Sequence, residues 1–72
     1  MNTTKLVFST PLLNAEEERE LARRIEAGVY AGYLVATDDR RHPRSALKRI
    51  IENGSRARET LFRANLRLVM KL

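Results

Sequence analysis

The residue type in this chain best placed to do chemistry is arginine, and that chemistry is recognition rather than bond breaking. Residues 37–72 carry ten Lys/Arg against four Asp/Glu, a net of +6, whereas residues 1–36 carry four against five, a net of −1. Guanidinium forks pair bidentately with phosphate or carboxylate. If either half faces a polyanion, it is therefore the second. A blander reading has equal weight, since arginines are also good, soluble helix formers on a solvated face.

Catalytic and metal chemistry find little to work with. The one histidine, His42, sits in a polar loop beside Pro43, with no acid or nucleophile implied as its partner. Cysteine is absent, which removes thiolate ligands, thiol nucleophiles and disulfides together and fits a reducing compartment, with the cytoplasm as the expected location. Glu16, Glu17 and Glu18 are consecutive, so one helix face cannot converge them on an ion. Gly28, Gly32 and Gly54 are isolated and make no phosphate loop. No enzyme activity, cofactor, metal or small-molecule substrate is expected. With only Leu6, Val7 and Phe8 consecutive near the start, no signal segment or membrane span is expected either.

The elements that must position the arginines read as helices throughout. With 72 residues, the chain holds at most one small domain with a marginal core. Residues 1–13 form a leader. Asn14 followed by Glu17 is a capping box that starts a helix at Ala15, with three glutamates complementing its dipole. Glu20 and Arg24 are spaced as an i,i+4 ion pair, and Leu21, Ala22, Ile25 and Val29 form its apolar stripe. Gly28 is expected to end or bend this helix.

Val29 to Ala36 reads as a short helix that is apolar on most sides, broken by the loop Thr37 to Pro43. A third helix, opened by Pro43 or capped by Ser45, buries Leu47, Ile50 and Ile51 and stops at Asn53-Gly54. The last, from Ser55, places Ala57, Leu61, Ala64 and Leu68 on one face. The expectation is an all-α bundle of about four helices.

Two blocks, in order and at their separation, resemble the sigma-70 family of transcription initiation factors. Pro11-Leu12-Leu13-Asn14-Ala15-Glu16-Glu17-Glu18-Arg19-Glu20-Leu21-Ala22-Arg23-Arg24-Ile25-Glu26-Ala27-Gly28 is similar to region 1.2 of that family. Gly54-Ser55-Arg56-Ala57-Arg58-Glu59-Thr60-Leu61-Phe62-Arg63-Ala64-Asn65-Leu66-Arg67-Leu68-Val69 is similar to the opening of its region 2.1. The resemblance divides the single domain into a leader (1–13), a region 1.2-like helix (14–28), a connector (29–53) and the start of a region 2.1-like helix (54–72). The family's Asp-x-Val-Arg-x-Tyr-Leu lead-in does not precede Thr10, and Met70-Lys71-Leu72 replaces the usual continuation. The resemblance thus implies a truncated module without the segments that read a promoter.

It also implies partners and sites. RNA polymerase core would be met by Asn65, Leu66, Arg67, Leu68 and Val69, and promoter DNA by Lys5, Arg56, Arg58 and Arg63. A local role competes for Asn65 and Arg67, one bonding its own backbone and the other lying along its own helix. Two other classes remain open. One is a small helical interaction module that self-associates or binds a regulator through Leu66, Leu68, Val69, Met70 and Leu72, with no DNA contact. The other is a generic basic DNA-binding helical domain.

Overall fold

A computed structural model describes residues 13–70, with side chains described for residues 13–66. It holds two helices, α1 (Ala15–Ala36) and α2 (Arg44–Met70), packed against each other as an antiparallel αα-hairpin. The described residues are all-helical, with no strand, but the four expected helices are two. The leader up to residue 12 and the end after Met70 lie outside the described residues.

The start of α1 follows the expected capping box. The Asn14 Oδ1 accepts the Glu17 N–H at 2.7 Å, and Glu17 Oε1 accepts the Asn14 N–H at 3.0 Å. The loop at residues 37–43 also falls where expected. Thr37 caps α1, and Asp38 follows in the left-handed region at φ 54°. The Asp38 N–H donates to the Val35 carbonyl (3.1 Å) and the Asp39 N–H to the Leu34 carbonyl (2.9 Å), the paired bonds of a Schellman turn. Pro43 opens α2, its carbonyl accepting the N–H groups of Ala46 and Leu47, both at 3.1 Å.

The two expected glycine stops are both overturned. α1 runs through Gly28 and α2 runs through Asn53-Gly54, and no glycine among the described residues has a positive φ. The glycines act in the packing. Both are buried where the helices cross, and a Cβ added to Gly54 would lie 2.8 Å from the Arg24 carbonyl oxygen and 3.1 Å from the Gly28 Cα. Interior glycine costs a helix about 1 kcal/mol against alanine. Here that cost is offset by a backbone approach that no side chain would permit.

Arg24 reinforces the crossing. Its Nε donates to the Asn53 Oδ1 (2.5 Å) and its Nη2 to the Asn53 carbonyl (3.3 Å), so Glu20 pairs with Arg23 at 2.9 Å and not with Arg24 as the spacing suggested. Gly28 closes the first family-like block and Gly54 opens the second, so the crossing joins the two blocks.

The core is thin. Among the described residues, its buried apolar side chains are Leu21, Leu34 and Leu47 with the alanines Ala31, Ala57 and Ala64. Ala22, Ile25, Ile51 and Leu61 are half-buried, whereas Val29 and Ile50, expected inside, are exposed. With only one neighbouring helix, each helix covers a stripe narrower than its apolar surface.

Candidate interaction surface

α2 carries most of the expected contact residues. Arg56, Arg58 and Arg63 are exposed, but they do not share one face. At about 100° per residue, Arg56 and Arg63 lie within about 20° of each other, two turns apart, while Arg58 lies roughly 160° round the helix from Arg56. Arg63 is held by Glu59, Nη2 to Oε1 at 2.7 Å, and neither Arg56 nor Arg58 forms an ion pair among the described residues.

Between those arginines stands a residue the sequence reading did not single out. Phe62 is 61 % exposed on the outer face of α2, with half-buried Leu66 one turn on and exposed Asn65 beside it. The result is an aromatic side chain with a cationic residue on either flank. Its signal in the sequence was its place: an aromatic off the stripe formed by Ala57, Leu61 and Ala64. The backbone of α2 continues through Arg67, Leu68 and Val69, whose side chains lie outside the described residues, as does Lys5.

A second surface lies toward the loop. An open apolar groove of about 250 Å³ runs between the helices, walled by Tyr30, Ala31 and Leu34 of α1 and by Leu47 and Ile50 of α2, with His42 at its mouth. The Tyr30 and Tyr33 rings stack nearly parallel (19°, centroids 6.3 Å apart), and both are about three-fifths exposed. At the far end of the hairpin, Leu13, Leu21 and Thr60 line a second recess, so the two family-like blocks meet there as well.

The loop itself is an ion-pair cluster. Arg41 grips Asp39 through Nη2 (2.7 Å) and Nε (3.0 Å) to Oδ2, and its backbone N–H donates to Oδ1 (2.9 Å). The guanidinium bonds, then the backbone N–H, hold the Asp39 carboxyl below its ordinary value, and the same pairing raises the Arg41 guanidinium. Asp38 meets Arg40 at 3.2 Å and Arg44 at 3.5 Å. Among the described residues, no three His, Asp or Glu side chains gather as a metal site, and no helix is long and apolar enough to cross a membrane.

Comparison with known proteins bears on the first of the quoted blocks directly. Residues 9–31 match the family model described as sigma-70 factor, region 1.2. The chain is 45% identical over 68 residues to RNA polymerase principal sigma factor HrdD of Streptomyces griseus, covering 89% of this chain and 20% of that protein. It is 43% identical over 72 residues to principal sigma factor HrdC of Streptomyces coelicolor, covering 92% of this chain and 21% of that one. The chain therefore spans about a fifth of the length of these relatives. No solved structure matches it at a comparable level. The similarity covers about nine-tenths of the chain, and it supports reading the chain as a sigma-70 family fragment, with region 1.2 matched at residues 9–31.

Proposed function

We propose that this chain acts in transcription initiation as a sigma-type binding module, docking on RNA polymerase core and turning a basic flank toward promoter DNA. The observation that carries the reading is the region 1.2 match within a similarity to principal sigma factors that covers about nine-tenths of the chain. Its role is to bind rather than to catalyse, and it acts in the cytoplasm.

The docking element is the outer face of α2. Exposed aromatics with a charged rim are the usual anchors of a protein interface, which makes Phe62 the centre, with Arg58, Asn65 and Leu66 around it and Arg67, Leu68 and Val69 continuing the helix. Arg56 and Arg63 share the flank suited to phosphate, and Lys5 belongs to the DNA-facing part of the proposal.

Titrating fluorescently labelled chain with Streptomyces core polymerase tests this. Saturable binding is expected, weakened about tenfold by Phe62→Ala, a loss of ~1.4 kcal/mol. Absence of association at any soluble concentration overturns the docking. For the DNA part, Arg56→Ala and Arg63→Ala should each lower the salt slope of promoter-duplex binding by about one. An unchanged slope removes DNA from the proposal.

A further inference from the structure

We propose that the loop end of the hairpin binds an unpaired nucleic-acid strand, stacking its bases on Tyr30 and Tyr33 and pairing its phosphates with Arg41 and Arg49. This surface lies apart from the flank of Arg56 and Arg63 assigned above to duplex backbone, and it takes a ligand whose bases are exposed.

The rings are the first argument. Tyr30 and Tyr33 are the only tyrosines of the chain, and both stand about three-fifths exposed near the loop end of α1. Three residues apart, they are neighbours on the helix surface, with ring planes within 19° of parallel and centroids 6.3 Å apart. Two solvated, nearly parallel rings offer flat π-faces to a partner that is itself flat. Unpaired bases are such partners, whereas a duplex keeps its bases stacked inside and shows only groove edges and phosphates.

The second argument is charge. Residues 37–49 carry five Lys/Arg against two Asp/Glu, a net of +3, while residues 50–66 carry three against two, a net of +1. The loop end is therefore the denser of the two cationic regions. Its geometry sharpens the imbalance, because the Asp39 carboxylate is only 13 % exposed beneath Arg41, which is 76 % exposed. Arg41 holds Asp39 through Nε and Nη2, and no hydrogen bond among the described residues engages its Nη1. The Asp39 bonds raise the Arg41 guanidinium most, and the Tyr30 phenol adds to them, which sets that ring within electrostatic reach of the cation. On α2, Arg49 lies about 60° round the helix from Ala46, which faces Tyr30 across the groove. Arg49 forms no ion pair among the described residues.

The acid nearest the rings gives the site a direction. Glu26 is exposed one turn before Tyr30, so an anionic backbone is repelled from that side and drawn toward the loop. Rings for the bases beside cations for the phosphates is the arrangement of sequence-tolerant single-strand binders. An acidic peptide would satisfy Arg41 and Arg49 but make no use of the parallel rings.

The tyrosines supply the test, because the chain has no tryptophan and its intrinsic emission comes from these two rings. Titrating the full chain with a short oligothymidylate at low salt should quench that emission saturably. A duplex, an abasic strand of equal length and polyglutamate should each bind at least about tenfold more weakly. Followed by anisotropy of a labelled oligothymidylate, Tyr30→Ala and Tyr33→Ala should each weaken binding about tenfold, and Tyr30→Phe should retain it, since the ring and not the hydroxyl stacks. Arg49→Gln should lower the salt slope by about 0.7, and Glu26→Gln should tighten binding about twofold. Where an alanine variant loses its helical signal, the abasic strand still decides, because it leaves the protein unaltered. Arg56→Ala and Arg63→Ala should leave strand binding unchanged, so this proposal and the duplex contact can fail separately. Absence of saturable quenching, equal affinity for the abasic strand or polyglutamate, or an affinity that falls with Arg56→Ala and not with Arg49→Gln overturns the proposal.

Discussion

Where α1 crosses α2, Gly28 and Gly54 bring backbone against backbone; toward the loop, Leu34 and Leu47 fill the space between the same two helices and leave a groove at their side. The crossing is closed because nothing projects there, and its specificity comes from Arg24 reaching over to Asn53. The loop half is built from large side chains that a single partner helix cannot enclose, so Tyr30, Tyr33 and Ile50 stay exposed. In so thin a fold, register is set by the smallest residues, while the largest ones remain available for contacts outside the hairpin.

The sharpest way to break this contrast is to add one methyl group on each side of it. Gly54→Ala places a Cβ 2.8 Å from the Arg24 carbonyl oxygen, a backbone atom that cannot swing away. The helices must separate, and the loss should exceed the ~1 kcal/mol gained in helix propensity by about 2 kcal/mol or more. Gly28→Ala meets the Gly54 Cα at 3.2 Å and should cost less. Gly32, in the loop half, has nothing within 4 Å of an added Cβ, so Gly32→Ala should stabilise by about 0.5–1 kcal/mol. Urea melts followed by circular dichroism at one fixed chain concentration read all three. Equal effects at Gly54 and Gly32 would remove the distinction between the halves.

The same contrast explains what the sequence could reveal. Signals carried by a few neighbouring residues were legible: the Asn14–Glu17 box, the loop around Pro43 and the helical character throughout. Gly28 and Asn53-Gly54 look locally like stops because glycine is a poor helix residue, and nothing local distinguishes a glycine that ends a helix from one that lets another helix approach. That difference lies in a contact between residues far apart in sequence. The Glu20–Arg24 pairing failed likewise, because Asn53 competed for Arg24 from the other helix. Val29 and Ile50 carry apolar side chains at helical spacing, but the two described helices leave both exposed. Of the candidate contacts, the exposure of Arg56, Arg58 and Arg63 was foreseeable, whereas Phe62 went unnoticed because it breaks the apolar stripe.

Arg24 gives a smaller effect that sharpens the picture at the crossing. Arg24→Ala should cost about 1 kcal/mol, since its bonds to Asn53 are formed at a partly solvated surface. In a double-mutant cycle with Asn53→Ala, most of that loss should appear as coupling between the two positions. A coupling near zero would mean that the glycines alone hold the register.

The smallest effect belongs to the loop, and it is read in pH. Because Arg41 holds the folded Asp39 carboxyl below its ordinary 3.8, folding favours the ionised form. The stability this contributes is fully present above the unfolded value and is lost as the pH falls below 3.8 through the lowered folded value. Asp39→Asn should remove that part of the pH slope while leaving the glycine crossing, and hence the ranking of Gly54→Ala over Gly32→Ala, unchanged. Arg41→Lys is the finer probe, because it keeps the positive charge and discards the fork whose hydrogen bonding is the largest cause of the lowering. Its Asp39 carboxyl, followed by ¹³C chemical shift, should titrate closer to the ordinary value than in the parent chain. An unchanged midpoint would locate the effect in the backbone N–H of residue 41, which the substitution leaves in place.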